Sequence, residues 1–132
     1  MEIIRDIKAM QQFAASLPSE GRRLGLVPTM GSLHQGHLSL IRLLEGQCDL
    51  KAASIFVNPI QFGRGEDFER YPRNEARDFA LLSEAGCELV FCPQPEDMYA
   101  QGFQTHIEVE GLSQPLCGAF RPAISAELLP WC

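Results

Sequence analysis

The stretch VPTMGSLHQGHLSL, Val27 to Leu40, decides how this chain is read. An apolar end meets a Pro-Thr turn, two glycines, and two histidines three residues apart. Just upstream, RLGLVP has the length and composition of a short buried strand ending at Pro28. Downstream, Leu38, Leu40, Ile41, Leu43 and Leu44 mark a helix that runs from His37 and is stopped by Gly46. The junction is therefore strand, glycine-bearing loop, helix, with both histidines at the point where the helix begins.

Working outward, the spacing of Ile4, Ile7, Met10, Phe13, Ala14 and Leu17 predicts an amphipathic helix over Ile3 to Leu17. LKAASIFVN reads as a second buried strand, closed by Pro59. A polar stretch, PIQFGRGEDFERYPR, follows and is too long for a tight turn. Asn74 to Ala85 carries Ala76, Phe79, Ala80, Leu81 and Leu82 and ends at Gly86, which predicts a third helix. CELVFCP supplies a third strand. A β-α-β-α-β order with short apolar strands implies an α/β fold, a Rossmann-like parallel sheet with flanking helices and right-handed crossovers. Ligands of such sheets bind beyond the carboxyl ends of the strands. PTMGSLHQGH and NPIQF both follow strands directly, so they are expected side by side there. Beyond Pro93 the chain is loop-rich, with QTHIEVEG a candidate edge strand and its His106 an ordinary strand residue.

Composition narrows the function. The chain has 132 residues, 45% hydrophobic and 21% charged, with a net charge of −6. No cluster of Lys or Arg exceeds a doublet, which argues against a nucleic-acid partner. No apolar run approaches membrane-spanning length. The opening MEIIRDIKAM is interrupted by charges where a signal peptide needs an apolar stretch, so a cytoplasmic location is expected. Five cysteines form no C-x-x-C pair and are odd in number, which points to free thiols rather than zinc or a disulfide framework.

The histidine pair admits three uses. Zinc ligation lacks a third ligand at suitable spacing, since His106 is isolated. A structural role for one ring is always available. The glycines favour the third: Gly31 and Gly36 remove side chains where the backbone would approach something bulky. Helix N-termini offer N–H groups and partial positive charge to anions. Imidazoles there donate to phosphate oxygens, and donors fixed in advance stabilise charge that develops on an α-phosphate. H-x-G-H at a strand-loop-helix junction thus reads best as a nucleotide α-phosphate cradle.

VPTMGSLHQGHLSLIR with SIFVNPIQFGRGEDFERYPR resembles the pantothenate synthetase (pantoate–β-alanine ligase) family of the HxGH nucleotidyltransferases. LLSEAGCELVFCPQPEDMYAQGFQT and GLSQPLCGAFRP continue the likeness to Pro122. The resemblance implies ATP-dependent condensation of pantoate with β-alanine through pantoyl adenylate, with Mg2+ accompanying ATP and a homodimeric assembly. By the same resemblance Met30, Gly31, Ser32, Leu33, His34, Gln35, Gly36 and His37 form the ATP-contacting loop, His34 and His37 bind phosphates, and His37 is the proton donor. Gln61 would contact pantoate, with Asn58 and Tyr71 near the substrate pocket. The side chains suit these roles. Gln61 carries a donor and an acceptor for a hydroxyl and a carboxylate. Met30 has the flexible apolar shape to lie on a dimethyl group or adenine, or simply to fill the core. Asp67, Glu69 and Arg70 read as a charged surface loop. Other HxGH adenylyltransferases and aminoacyl-tRNA synthetases are rivals that SIFVNPIQF argues against.

One departure stands out. After Arg121-Pro122 the family continues GHFRGVATVV, whereas this chain reads AISAELLPWC. Shifted by one base, codons for those ten residues can spell Gly-His-Phe-Arg-Gly-Val-Ala-Thr-Val-Val, with the last valine forced by Trp131-Cys132. The expectation is that residues 1–122 are the N-terminal part of an ATP- and pantoate-binding domain, that 123–132 are a frameshifted tail, and that the family's C-terminal domain is absent. Little or no ligase activity is then expected of these 132 residues, at most weak binding by an inactive remnant.

Overall fold

The computed structural model describes residues 1–62, 68 and 70–99. The QTHIEVEG strand with His106, the charges Asp67 and Glu69, and the tail from residue 123 lie outside the described residues. Two compact units divide the chain. The first comprises Met1–Val57 with Pro72–Tyr99; the second includes Asn58–Tyr71.

The first unit is a four-stranded sheet in the order β1-β4-β3-β2, every neighbouring pair parallel. Its strands are β1 (Glu2–Ile4), β2 (Leu24–Thr29), β3 (Leu50–Ile55) and β4 (Leu89–Phe91). Between them run α1 (Ile7–Ser16), α2 (Gln35–Leu43) and α3 (Glu75–Glu84), and a short α4 (Pro95–Met98) follows β4. The Rossmann-like parallel arrangement expected from the alternation of elements is the one found.

Alternation along β3 explains how both faces are covered. Leu50 and Ala52 point to one side and join Ile4 and Leu89, with Met10 and Phe13 of α1 packed against them. Ala53 and Ile55 point to the other and join Val27 and Val90 under Leu38 and Ile41 of α2 and Leu82 of α3. With both faces covered, β3 is buried at Leu50, Ala52, Ala53 and Ile55 and half-buried at Lys51 and Ser54, so it lacks the polar alternation of a one-sided strand.

Three boundaries differ from the sequence expectation. Ile3 and Ile4 are not helical. They form β1, whose Glu2 to Ile4 pair with Leu89 to Phe91. Asp6 then caps α1, its Oδ1 accepting from the Ala9 N–H at 2.7 Å, so the helix cannot start earlier. Helix α2 begins at Gln35 rather than His37, because His34 itself is the cap. Pro95–Met98 adds one helical turn in the region expected to be loop.

The carboxyl ends of the central strands form the edge that matters. Thr29 stands opposite Ile55, and the Phe56 N–H donates to the Thr29 carbonyl at 3.0 Å. The chain segments after β2 and β3 therefore leave the sheet from neighbouring positions. Among the described residues no helix is long and apolar enough to cross a membrane.

Candidate functional site

The loop after β2 is built from its first residue. Thr29 Oγ1 donates to the Ser54 carbonyl at 2.8 Å and accepts from the Gly31 N–H at 3.1 Å, tying the strand end to β3 and to the turn. Gly31 has φ +80°, and a Cβ there would lie 3.1 Å from Asp78 Oδ2 and 3.3 Å from Ile55 Cγ2. Ser32 follows with φ 52°, the one non-glycine residue of left-handed conformation among those described. That conformation costs about 1–2 kcal/mol.

Asp78 of α3 offsets the cost. Its carboxylate is only 2% exposed, with Oδ2 accepting from the Ser32 N–H at 2.8 Å and Oδ1 from the Leu33 N–H at 2.9 Å. Hydrogen bonds to a charged acceptor contribute roughly 1.5–3 kcal/mol each, enough to hold the strained turn. Leu33, 1% exposed, pins the loop into the core beside Leu38 and Ile41.

His34 leaves the turn in extended conformation and caps α2. Its Nδ1 accepts from the Gly36 N–H at 3.1 Å, while His37 Nδ1 receives a longer 3.4 Å bond from the His34 N–H. The His37 N–H goes to the His34 carbonyl at 3.0 Å, and the Leu38 N–H to the same oxygen at 3.3 Å. The two rings lie with centroids 4.1 Å apart, tilted by 49°. This corrects two points of the sequence reading. The first-turn amides of His34, Gly36, His37 and Leu38 are met from within the helix start, so they are not an open cradle. What Gly36 makes room for is the His34 ring itself, since a Cβ on residue 36 would come within 2.9 Å of His34 Cε1.

The chemistry follows from the acceptors. An imidazole whose Nδ1 accepts a hydrogen bond carries its proton on Nε2. Both rings thus present Nε2–H as a donor, on an exposed His34 and a half-buried His37. Burial pushes the His37 imidazole below its ordinary 6.5, the neighbouring His34 adds to this, and the Asp78 carboxylate opposes it. His37 is a neutral donor at pH 7. Of the remaining loop residues, Gln35 is exposed at the first turn and Met30 is half-buried between Thr29 and Gly31.

No group of three or more His, Cys, Asp or Glu able to hold a metal occurs among the described residues. Both Nδ1 atoms and both Asp78 oxygens already accept from backbone amides, so these side chains make a poor hard-cation cage.

In the second unit, Asn58 is 3% exposed and caps the 3-10 turn Pro59–Gln61, its Oδ1 accepting from the Ile60 N–H at 3.1 Å. Gln61 closes that turn through its own N–H to the Asn58 carbonyl at 3.2 Å. Tyr71 meets Phe62 edge-on at 5.7 Å, and Phe62 meets Phe68 in the same manner at 5.4 Å. The structure thus gathers Met30 to His37 in one unit and Asn58, Gln61 and Tyr71 in the other. Sequence reasoning missed Asp78. Its signal was a carboxylate four residues before the fully buried Leu82, on the apolar side of its helix.

So far the architecture establishes a class, a Rossmann-like α/β protein whose polar loop chemistry sits at the carboxyl edge of a parallel sheet. Comparison makes this specific. The family model described as Pantoate-beta-alanine ligase matches residues 2–126. Over 122 residues the chain is 52% identical to a pantothenate synthetase of Sulfurihydrogenibium sp. (strain YO3AOP1), covering 92% of this chain and 44% of the relative. It is 51% identical over 122 residues to that of Moorella thermoacetica, covering 92% of this chain and 43% of the relative. Among solved structures, pantothenate synthetase from Thermus thermophilus superposes with a TM-score of 0.84 at 45% identity, over 97% of this chain and 45% of that one. The Francisella tularensis pantoate-β-alanine ligase, complexed with β-γ ATP and β-alanine, gives 0.85 at 35% identity over 98% and 49% of the two chains. The chain belongs to the pantoate–β-alanine ligase family, and it spans less than half the length of these relatives.

Proposed function

We propose that these residues serve the ATP-dependent condensation of pantoate with β-alanine. In that reaction a carboxylate oxygen of pantoate attacks the α-phosphorus of ATP and pyrophosphate leaves. The β-alanine amine then attacks the acyl carbon, AMP leaves, and the amine gives up a proton. His34 and His37 act on the first step. Their Nε2–H donors face the α-phosphate, and because the rings are fixed before ATP arrives, they favour the charge-rich transition state over the ground state. The observation that carries this reading is the reciprocal capping of α2, which commits both Nδ1 atoms and leaves both Nε2–H groups to a ligand.

His37 enters as a neutral hydrogen-bond donor. Nearby phosphate charge favours the imidazolium, so a role as proton donor develops only with nucleotide bound. Gln61, Asn58 and Tyr71, with Met30, are assigned to pantoate and β-alanine. Mg2+ accompanies ATP as part of the substrate, held by phosphate oxygens and water rather than by protein side chains. Homodimeric assembly is kept as part of the proposal.

For residues 1–132, binding of nucleotide at the His34–His37 pair is the expected behaviour. Isothermal titration with ATP and with pantoate, alongside 15N spectra of the imidazoles, tests this. ATP should bind and shift both His34 and His37 Nε2 resonances. Saturating ATP that disturbs neither ring overturns the reading.

A further inference from the structure

The α3 carboxylate of Asp78 has no place in the chemistry above, yet it is buried against the loop that carries it. We propose that Asp78 is a positioning residue: by holding the Ser32 and Leu33 N–H groups it fixes the turn that sets both imidazoles at the start of α2. The proposal rests on the nucleotide reading of the histidine pair only for its consequence, not for its geometry.

Three features distinguish this role from ordinary helix capping. The amino end of α3 is capped by Asn74, whose Oδ1 accepts from the Arg77 N–H at 3.1 Å and whose carbonyl accepts from the Asp78 N–H at 3.0 Å. The Asp78 carboxylate turns away from those amides. It reaches instead a loop 45 and 46 residues upstream, one oxygen to each N–H. Finally, the residue it grips is the strained one, Ser32 with φ 52°. Gly31 is drawn in equally close, its Cα hydrogen standing where a methyl would lie 3.1 Å from Oδ2.

Geometry then transmits the effect. Leu33 is followed directly by His34, whose ring accepts from the Gly36 N–H and lies tilted against the His37 ring. Releasing the two amides frees the turn, and the rings lose their common orientation. The charge contributes as well: Asp78 holds the His37 imidazole up against burial and the His34 ring.

The test uses the 132-residue chain without nucleotide, comparing wild type with Asp78→Asn, whose amide can accept from only one of the two N–H groups. Exchange of the Ser32 and Leu33 amides should accelerate at least tenfold while that of Leu82 in α3 stays as it was, and the His37 titration midpoint should fall. Asp78→Glu, which keeps the charge, should recover part of both. A folded Asp78→Asn chain with unchanged Ser32 and Leu33 exchange and an unchanged His37 midpoint overturns the proposal. Should Asp78→Asn fail to fold, Gly31→Ala presses on the same carboxylate from the loop side and decides by the same readouts: acceleration confined to residues 31–37 supports it, and unaltered exchange there overturns it. ATP is titrated separately. Rings that ignore ATP in wild type defeat the nucleotide reading while leaving the Asp78 result intact.

Discussion

The His34 ring and the α-carbon of Gly36 share one space: the ring folds back over the first turn of α2 until its Nδ1 lies 3.1 Å from the Gly36 nitrogen. A methyl on residue 36 would stand 2.9 Å from Cε1 and 3.1 Å from Nδ1. Gly36→Ala must therefore expel the ring from its capping position. Two effects on stability then oppose each other. Losing the cap costs about 1 kcal/mol, and replacing glycine by alanine in a helix returns roughly 0.5–1 kcal/mol. Net stability should stay nearly level while ATP affinity falls at least tenfold. Denaturation and calorimetric titration of the same variant check the pair of outcomes.

Gly31 offers a contrast with Gly46. Both have positive φ, +80° and +71°, but only Gly31 is crowded, by Asp78 Oδ2 and Ile55 Cγ2. Alanine at 46 should cost only the backbone term of about 1–2 kcal/mol. Alanine at 31 adds displacement of a buried carboxylate and should exceed that by about 1 kcal/mol or more. Urea midpoints for the two variants, with equal m-values, measure the difference.

These positions show what the chain discloses about itself. The strands and helices of the centre are legible because local pattern and tertiary demand agree: Ala53 and Ile55 alternate with Leu50 and Ala52, and α2 and α3 carry their apolar residues at helical spacing. The start misleads because Ile4 fits the helical period of Ile7 and Met10 while its partner, Phe91, lies far along the chain. The helix boundary at Gln35 is hidden because histidine is not among the usual capping residues, and only its ring geometry reveals that role. The HxGH cluster itself is legible as a pattern. Asp78 is not, because the amides it holds belong to a loop 45 residues upstream and a backbone N–H leaves no mark in sequence.

Cys87 and Cys92 lie in the core at 4% exposure each. Burial pushes both thiols up, and Cys92, beside the Glu75 carboxylate, reaches about 11. The thiolate is the nucleophile, so neither residue should react in the native state. Iodoacetamide at pH 8 should leave the peptides containing these two cysteines unmodified until denaturant is added, as mass spectrometry would record. Rapid native labelling of Cys92 would contradict the packing of β4 against α3.

The lowered His37 value carries a pH dependence whose sign can be worked out. The folded chain holds the His37 proton less tightly than the unfolded chain, whose imidazole titrates near 6.5. Between the two values the unfolded state binds more protons, so stability rises with pH. The contribution is complete above 6.5 and is lost as pH falls through the lower folded value. Protonation at Nδ1 would also remove the acceptor for the His34 N–H. Glu75, held down chiefly by its hydrogen bond to Arg5, behaves separately: its contribution is present above 4.5 and lost only in more acid solution. Denaturation midpoints should thus fall from pH 7 to pH 5.5 before the carboxylate region is reached. His37→Gln is the decisive control, because glutamine at the third helical position can still accept from the capping residue's N–H but does not titrate. That variant should keep its midpoint level across the same interval, and a slope equal to wild type would assign the effect to another group.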